Sequence, residues 1–251
     1  MIELRNVWFS YDGEFVLKDI NLKVEKGERI VVLGINGSGK STLLKLLNAL
    51  LFPTKGTYLY KGKNIEKNAF KDKNFIKAFR KEVVLLFQNP DAMIFNPTVY
   101  DEIAFGLRQL GFEEKVVKER VLYWAEVFGL TQYLNKPPFI LSGGQKQKLC
   151  LACLLVLEPE VLLLDEPTAN LDPKSTGWLI DFLNELKGVT TITSTHNLSL
   201  APELGNRLIV LREGGSIIYD GEAEAFLKDQ EKLINAGLVH KHKDKPYYHL
   251  H

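Results

Sequence analysis

Gly34-Ile35-Asn36-Gly37-Ser38-Gly39-Lys40-Ser41-Thr42 follows the apolar run Ile30-Val31-Val32-Leu33 and leads into Leu43-Leu44-Lys45-Leu46-Leu47. The stretch fits the spacing G-x-x-x-x-G-K-[ST], and strand, glycine loop, helix is the context that this spacing requires. Glycines let successive backbone amides curl round phosphate groups, Lys40 supplies a point charge at the β and γ positions, and Ser41 offers a hydroxyl to Mg²⁺. A plain turn between two core elements asks for neither the Lys-Ser-Thr ending nor glycines at these intervals.

A second anion-binding stretch, Leu141-Ser142-Gly143-Gly144-Gln145, stands later in the chain. Ser142 can cap a helix whose first amides, at Gly143 and Gly144, are unobstructed, so the helix start offers N–H groups and the positive end of its dipole to an anion. One nucleotide does not need two such sites in one chain, which points to a phosphate held by a different subunit.

Around these stretches the pattern alternates. Ile2, Leu4, Val7, Phe9 and Tyr11 have strand character up to the break at Asp12-Gly13, and 16–24 supplies another strand pair before the turn at 25–28. Thr57 to Tyr60 with Lys61-Gly62-Lys63 reads as a further hairpin, and Val83-Val84-Leu85-Leu86-Phe87 as a buried strand ended by Gln88. From about 90 to 158 the periodicity is helical, with helices expected over 99–110, over 113–128 and after Ser142. Strands at 161–164, 190–195 and 207–211 with a helix over 174–186 complete an α/β core in which ligands sit at strand ends. The expected organisation is a domain over 1–221 with a helical subdomain at about 90–158, then an extension over 222–251 whose part at 222–233 reads as an amphipathic helix.

Chemistry-bearing residues fall at those strand ends. Asp165 and Glu166 follow Leu162-Leu163-Leu164, so one carboxylate can hold a hydrated Mg²⁺ while the next reaches the water attacking a γ-phosphate. His196 ends the strand at 190–195, where its imidazole can hydrogen-bond that phosphate.

In this order the motifs resemble those of ATP-binding cassette (ABC) ATPases, over about residues 1–221. The resemblance implies a P-loop NTPase core that hydrolyses Mg-ATP, with Lys40, Gln88, Glu166 and His196 in catalysis and Ser41, Gln88 and Asp165 at the metal. It implies nucleotide contacts from Tyr11, which is similar to the family's adenine-stacking aromatic, and from Gly34, Asn36, Gly37, Ser38, Gly39, Lys40, Ser41 and Thr42. From a second, identical or related chain paired head to tail it implies Ser142, Gly143, Gly144, Gln145 and Asp172, the last within a loop over Asn170, Leu171 and Asp172 that meets the partner. Asn197 stands where many members carry Asp. The frame Gln88-Asn89-Pro90-Asp91, Ile94-Phe95, Pro97-Thr98-Val99 and Ala104-Phe105-Gly106 resembles the energy-coupling-factor and cobalt-type importer ATPases, with Asn96 and Tyr100 as departures. That implies a transmembrane coupling protein as a further partner, a place on the cytoplasmic face of the membrane, and a vitamin, cobalt or nickel as cargo. A soluble ABC ATPase of a cytosolic assembly, such as an iron–sulphur scaffold, is the alternative.

Composition agrees with an enzyme core: of 251 residues, 45% are hydrophobic and 32 basic side chains face 31 acidic ones. A net charge of +1 argues against a nucleic-acid binder, and neither a membrane span nor a signal peptide is expected. Cys150 and Cys153 form a C-x-x-C inside an apolar run with no second Cys or His pair nearby, so they read as small core residues rather than as a redox or zinc motif. The trio Met93-Ile94-Phe95 reads as a partner groove or, alternatively, as core. His240, His242, His249 and His251 read as a solvated tail, with metal delivery as the alternative.

Overall fold

Asp12 and Gly13 both take positive φ, 46° and 88°, and so close a two-residue hairpin between β1 (Ile2–Tyr11) and β2 (Glu14–Val24). This hairpin opens a computed structural model that describes residues 1–169, 171–241 and 248–250. The strand pair expected over 16–24 is a single strand. Asp19 at φ 52° forms a bulge instead of a turn, and its carboxylate accepts from Asn6 Nδ2 at 2.9 Å across the hairpin, where the register shifts.

The remaining elements alternate as the motifs require. They are β3 (Arg29–Leu33), α1 (Lys40–Leu47), β4 (Lys55–Tyr60), β5 (Lys63–Asn64), α2 (Lys73–Glu82), β6 (Val83–Leu86), α3 (Val99–Leu110), α4 (Glu114–Val127), α5 (Gly143–Leu155) and β7 (Val161–Asp165). After these come α6 (Pro173–Glu185), β8 (Thr190–Thr195), α7 (Ala201–Leu204), β9 (Arg207–Leu211), β10 (Ile217–Glu222), α8 (Ala223–Leu227), α9 (Gln230–Asn235), β11 (Val239–Lys241) and β12 (Tyr248–Leu250). One sheet has the antiparallel order β2-β1-β4-β5. The other has the order β10-β9-β3-β8-β7-β6 and is parallel except for the edge strand β10.

Strands β3, β6, β7 and β9 of the larger sheet are almost wholly buried on both faces, which is why they read as continuous apolar runs, whereas β8, equally buried, is built mostly of Thr and Ser, and the edge strand β10 alternates. Val31, Leu33, Leu86 and Leu164 point into a core shared with α3, α4, α5 and α6. Ile30, Val32, Leu85 and Leu163 point into a second core, with α1 and the antiparallel sheet. Helix α3 is capped by Thr98 and ends on Gly111 at φ 84°, and α5 starts with a complete capping box between Ser142 and Gln145. Across the first core an aromatic cluster joins α4 to α6: Phe128 lies 5.7 Å from Trp124, 5.8 Å from Trp178 and 5.1 Å from Phe182.

The helix expected over 222–233 is two. Asp229 breaks it by capping α9, its side chain accepting from the Lys232 amide at 3.2 Å, and Ala225 is exposed while Ala223 and Phe226 are buried. Helix α2, started by Asp72 accepting from the Asn74 and Phe75 amides, and strand β10 were not expected from the sequence. Both cysteines lie on α5, Cys150 buried in the core and Cys153 packed half-buried against it, and burial pushes the Cys150 thiol up to about 12 and that of Cys153 upward as well, the reverse of a reactive thiol. Asn170, His242 and His251 lie outside the described residues. No helix among the described residues is long and apolar enough to cross a membrane.

Candidate active site

The strand order places the motifs side by side. Neighbours β3, β8, β7 and β6 end respectively at the Lys40 loop, at His196, at Asp165-Glu166 and just before Gln88, so four separate stretches share one edge of the sheet. Register sharpens this: Leu33 is level with Thr195, and Asp165 with Ser194.

Lys40 is only 6% exposed. Its ammonium donates to the Gly34 carbonyl at 2.8 Å and the Ile35 carbonyl at 3.1 Å, and stands 3.6 Å from Glu166 Oε1. Burial pulls this lysine below its ordinary range, and the charges of Glu166 and Asp165 oppose that pull. Glu166 is also buried and lies between Lys40 and His196, whose Nδ1 sits 3.0 Å from Oε2 on its other side. Its backbone is in the left-handed region at φ 46°, a conformation that costs a non-glycine residue roughly 1 kcal/mol or more and is typical of residues held for function. The Glu166 amide donates to Ser194 Oγ at 2.9 Å, which fixes that conformation from β8.

Asp165, 4% exposed, accepts from Ser41 Oγ at 2.9 Å and Ser194 Oγ at 2.7 Å, both on Oδ1. Oδ2 is left to face whatever else enters. A cleft of about 340 Å³ is lined by Asn36, Gly37, Gly39, Lys40, Ser41, Thr42, Gln88 and Glu166, together with Val16 of β2. A second cleft of about 490 Å³ holds His196, Thr168 and Leu171, and Glu166 lines both. One carboxylate thus faces the phosphate loop on one side and the histidine on the other. Asn197, at the departure from Asp, uses Oδ1 to accept the Ser199 amide at 3.0 Å.

Not every expected residue joins this cleft. Tyr11 stands 44% exposed at the end of β1, edge-on to Phe9 at 4.8 Å, and does not line it. Ser142, Gly143, Gly144 and Gln145 are also outside it. Ser142 and Gly143 are exposed at the start of α5, and Gln145 reaches Tyr133 OH at 3.1 Å. Asp172 caps α6 through the Ser175 amide at 3.0 Å, and the Ser175 hydroxyl helps hold its carboxyl below the usual range. Val16 was missed: inside a strand, nothing in its residue type marks it as a wall of a phosphate site.

The sequence model of a family described as ABC transporter matches residues 17–169, more than half of the chain. The chain belongs to the ABC transporter family. It is an ATPase of that family, and relatives sharpen the placement. The energy-coupling factor transporter ATP-binding protein EcfA of Methanocaldococcus jannaschii is 43% identical over 95% of this chain and 85% of its own length. The structure of CbiO1 from Clostridium perfringens, described as part of the ABC transporter complex cbiONQ, superposes with a TM-score of 0.80 at 32% identity, covering 94% of each chain. A bacterial ABC transporter cassette solved as a dimer matches at 29% identity and a TM-score of 0.78, and its post-hydrolysis state with ADP and phosphate at 27% and 0.77, each over 89% of this chain and 99% of its own.

Within an ABC cassette the observed geometry fits phosphate and a magnesium ion. The loop leaves Ser38 Oγ buried without a partner, and its glycines curl tightly: a Cβ on Gly34 would lie 2.5 Å from both the Leu211 carbonyl oxygen and Ser38 Oγ. The side chains that would hold such an ion all offer oxygen, namely the Ser41 hydroxyl, the Gln88 amide and the Asp165 carboxylate. Among the described residues no group of three or more acidic, His or Cys side chains could by itself hold a metal ion. Bound at these oxygens, the magnesium ion would neutralise charge on the phosphates. Because Gly34 has no room for a methyl group, Gly34→Ala is expected to destabilise the fold by roughly 1–3 kcal/mol and to weaken nucleotide binding. A melting curve and a nucleotide titration matching the unmodified chain would show that the loop has slack.

Proposed function

We propose that this chain is the ATP-hydrolysing subunit of an importer of the energy-coupling-factor type, a peripheral protein on the cytoplasmic face of the membrane, serving uptake of a vitamin, cobalt or nickel. Two cassettes pair head to tail, each enclosing Mg-ATP between its own Lys40 loop and the other's Ser142 loop. On arrival of the γ-phosphate, Lys40 exchanges its contact with Glu166 for the phosphate. Glu166 is then free to accept a proton from the attacking water, with His196 hydrogen-bonding the phosphate from beyond it. Tyr11 stacks on the adenine, Gln88 orients the water, and Asp172 meets the partner.

The observation that carries the membrane part of this reading is the surface beside Gln88. Phe95 is 66% exposed and packs edge-on to Phe105, itself 38% exposed, at 4.8 Å. Buried Glu102 fixes this surface by accepting the amides of Phe95 at 2.9 Å and Asn96 at 2.6 Å, with Asn96 Nδ2 at 3.1 Å, which gives that departure from the subfamily pattern a role. Met93 and Ile94 pack partly against the core, so Phe95 alone of the trio faces out. An aromatic pair held rigid in the open, seven residues beyond a side chain of the nucleotide cleft, suits a membrane subunit that must feel nucleotide state. Names of the similar EcfA and CbiO1 proteins support the same reading. Affinity purification from native membranes is expected to recover a multi-span membrane protein with this chain. Phe95→Asp should lower that recovery by about tenfold or more while leaving ATP hydrolysis by the isolated chain unchanged. Recovery of an exclusively soluble complex would overturn the importer reading.

A further inference from the structure

Three side positions on one face of α5 touch a single stretch of chain. At position 144 a Cβ would lie 2.9 Å from Ser175 Oγ, so Gly144 brings the α5 backbone close to that hydroxyl. At position 147 the Gln147 amide, 4% exposed, donates from Nε2 to the Pro167 carbonyl at 3.0 Å. At position 148 the Lys148 ammonium sits 4.2 Å from the centroid of the Trp178 ring. Spacings of three and four residues put these on the same helix face, and their targets run from the residue after Glu166, past Asp172, into α6.

The hydrogen bond from Gln147 differs from its two neighbours in where it acts. Pro167 is bonded directly to Glu166, whose left-handed backbone is held on its N-terminal side by Ser194. Gln147 fastens the C-terminal side. Being a proline, residue 167 has no N–H, so its carbonyl is the one backbone hydrogen-bonding group it offers to this stretch. A primary amide buried for a single backbone carbonyl is an expensive way merely to pack a helix, since an apolar side chain of the same length would fill the space without a polar group to satisfy.

We propose that Gln147 is a positioning residue for hydrolysis: it ties the helix that begins with Ser142 to the peptide that holds Glu166. The inference rests on the function proposed above, in which Glu166 is the base of one site while Ser142 serves the neighbouring chain's nucleotide. Through Gln147 the two are parts of one rigid piece. Closure of Ser142 over the partner's nucleotide therefore sets the orientation of Glu166 in this chain's own site, and the two sites of a pair sense each other through a single buried amide.

The test is Gln147→Met, which keeps length and removes the donor, with Gln147→Glu as a second variant of the same shape. Expected is a fall in kcat of about tenfold or more, with KM within about threefold of the unmodified chain. Affinity for a fluorescent ATP analogue at the Lys40 loop should stay unchanged, and the melting temperature should fall by about 10 °C or less, the cost of leaving the Pro167 carbonyl unpaired. A kcat equal to that of the unmodified chain would overturn the inference. So would a joint fall of kcat, analogue affinity and melting temperature in both variants, since that would make Gln147 a packing residue alone. Glu166→Gln measured in parallel separates the two readings: if it stalls turnover while Gln147→Met does not, only the positioning role fails, and if it turns over normally, the proposed site itself is wrong.

Discussion

Glu166→Gln is expected to lower ATP turnover by about a hundred- to ten-thousand-fold and to leave ATP-bound pairs of chains in solution. The amide keeps the shape of the side chain, so the backbone at φ 46° and the amide contact with Ser194 persist. What disappears is the proton acceptor, together with the negative charge beside Lys40. In the structure that charge stands 3.6 Å from the ammonium, so the carboxylate and an incoming phosphate compete for the same cation. Removing it weakens the competitor and should tighten ATP binding while chemistry stops, which is why pairs accumulate. Phosphate release measured against time, with size-exclusion chromatography in the presence of ATP, reads both effects. Turnover at the unmodified rate would remove Glu166 from the role of base.

The second large effect concerns sites shared between chains. Lys40→Ala and Ser142→Arg are each expected to be inactive alone, the first because the phosphates lose their lysine, the second because a bulky cation blocks the amides at the start of α5. Mixed together, they should regain about a quarter of full activity: half of randomly formed pairs are mixed, and each has one site with both parts intact, because the Lys40 loop of the Ser142→Arg chain faces the Ser142 loop of the other. The geometry favours this outcome, since Ser142 and Gly143 are exposed and neither lines the cleft of their own chain's Lys40 loop. No recovery on mixing would mean that both groups serve one chain's nucleotide.

Motifs confined to a few consecutive residues were legible because their chemistry is local. Residues 34–42 announce a loop whose glycines and lysine have one use, and Asp165-Glu166 directly after apolar residues announces a strand end. The capping box of Ser142 and Gln145 can be read from spacing alone. Contacts between distant stretches were not legible. Gln147 reads as one more polar residue of a helix, and its carbonyl partner twenty positions away carries no side-chain signal. Val16 lines the nucleotide cleft only because β2 lies over the Lys40 loop. The C-terminal helix was drawn too long because its apolar residues are helically spaced, and the capping preference of Asp229 outweighed that periodicity. The expectation of a strand pair over 16–24 fails because nothing in the sequence shows that Asp19, with positive φ, kinks one continuous strand as a bulge rather than dividing it.

The aromatic cluster between α4 and α6 has a consequence for how motion in this cassette is observed. Two of the three tryptophans in the chain, Trp124 and Trp178, flank Phe128 from opposite elements, one in the helical stretch after Gln88 and one in the core. Trp178 also lies under the Lys148 ammonium, a charge close enough to shift its emission. Any shift of α4 against α6 changes the surroundings of both indoles at once, whereas Trp8, in the antiparallel sheet, stays with Phe15 and Lys55 and supplies a steady background. The protein thus carries two indoles placed to report such a shift, and if the proposed coupling moves α4 during an ATP cycle, its natural fluorescence would follow that movement without a dye.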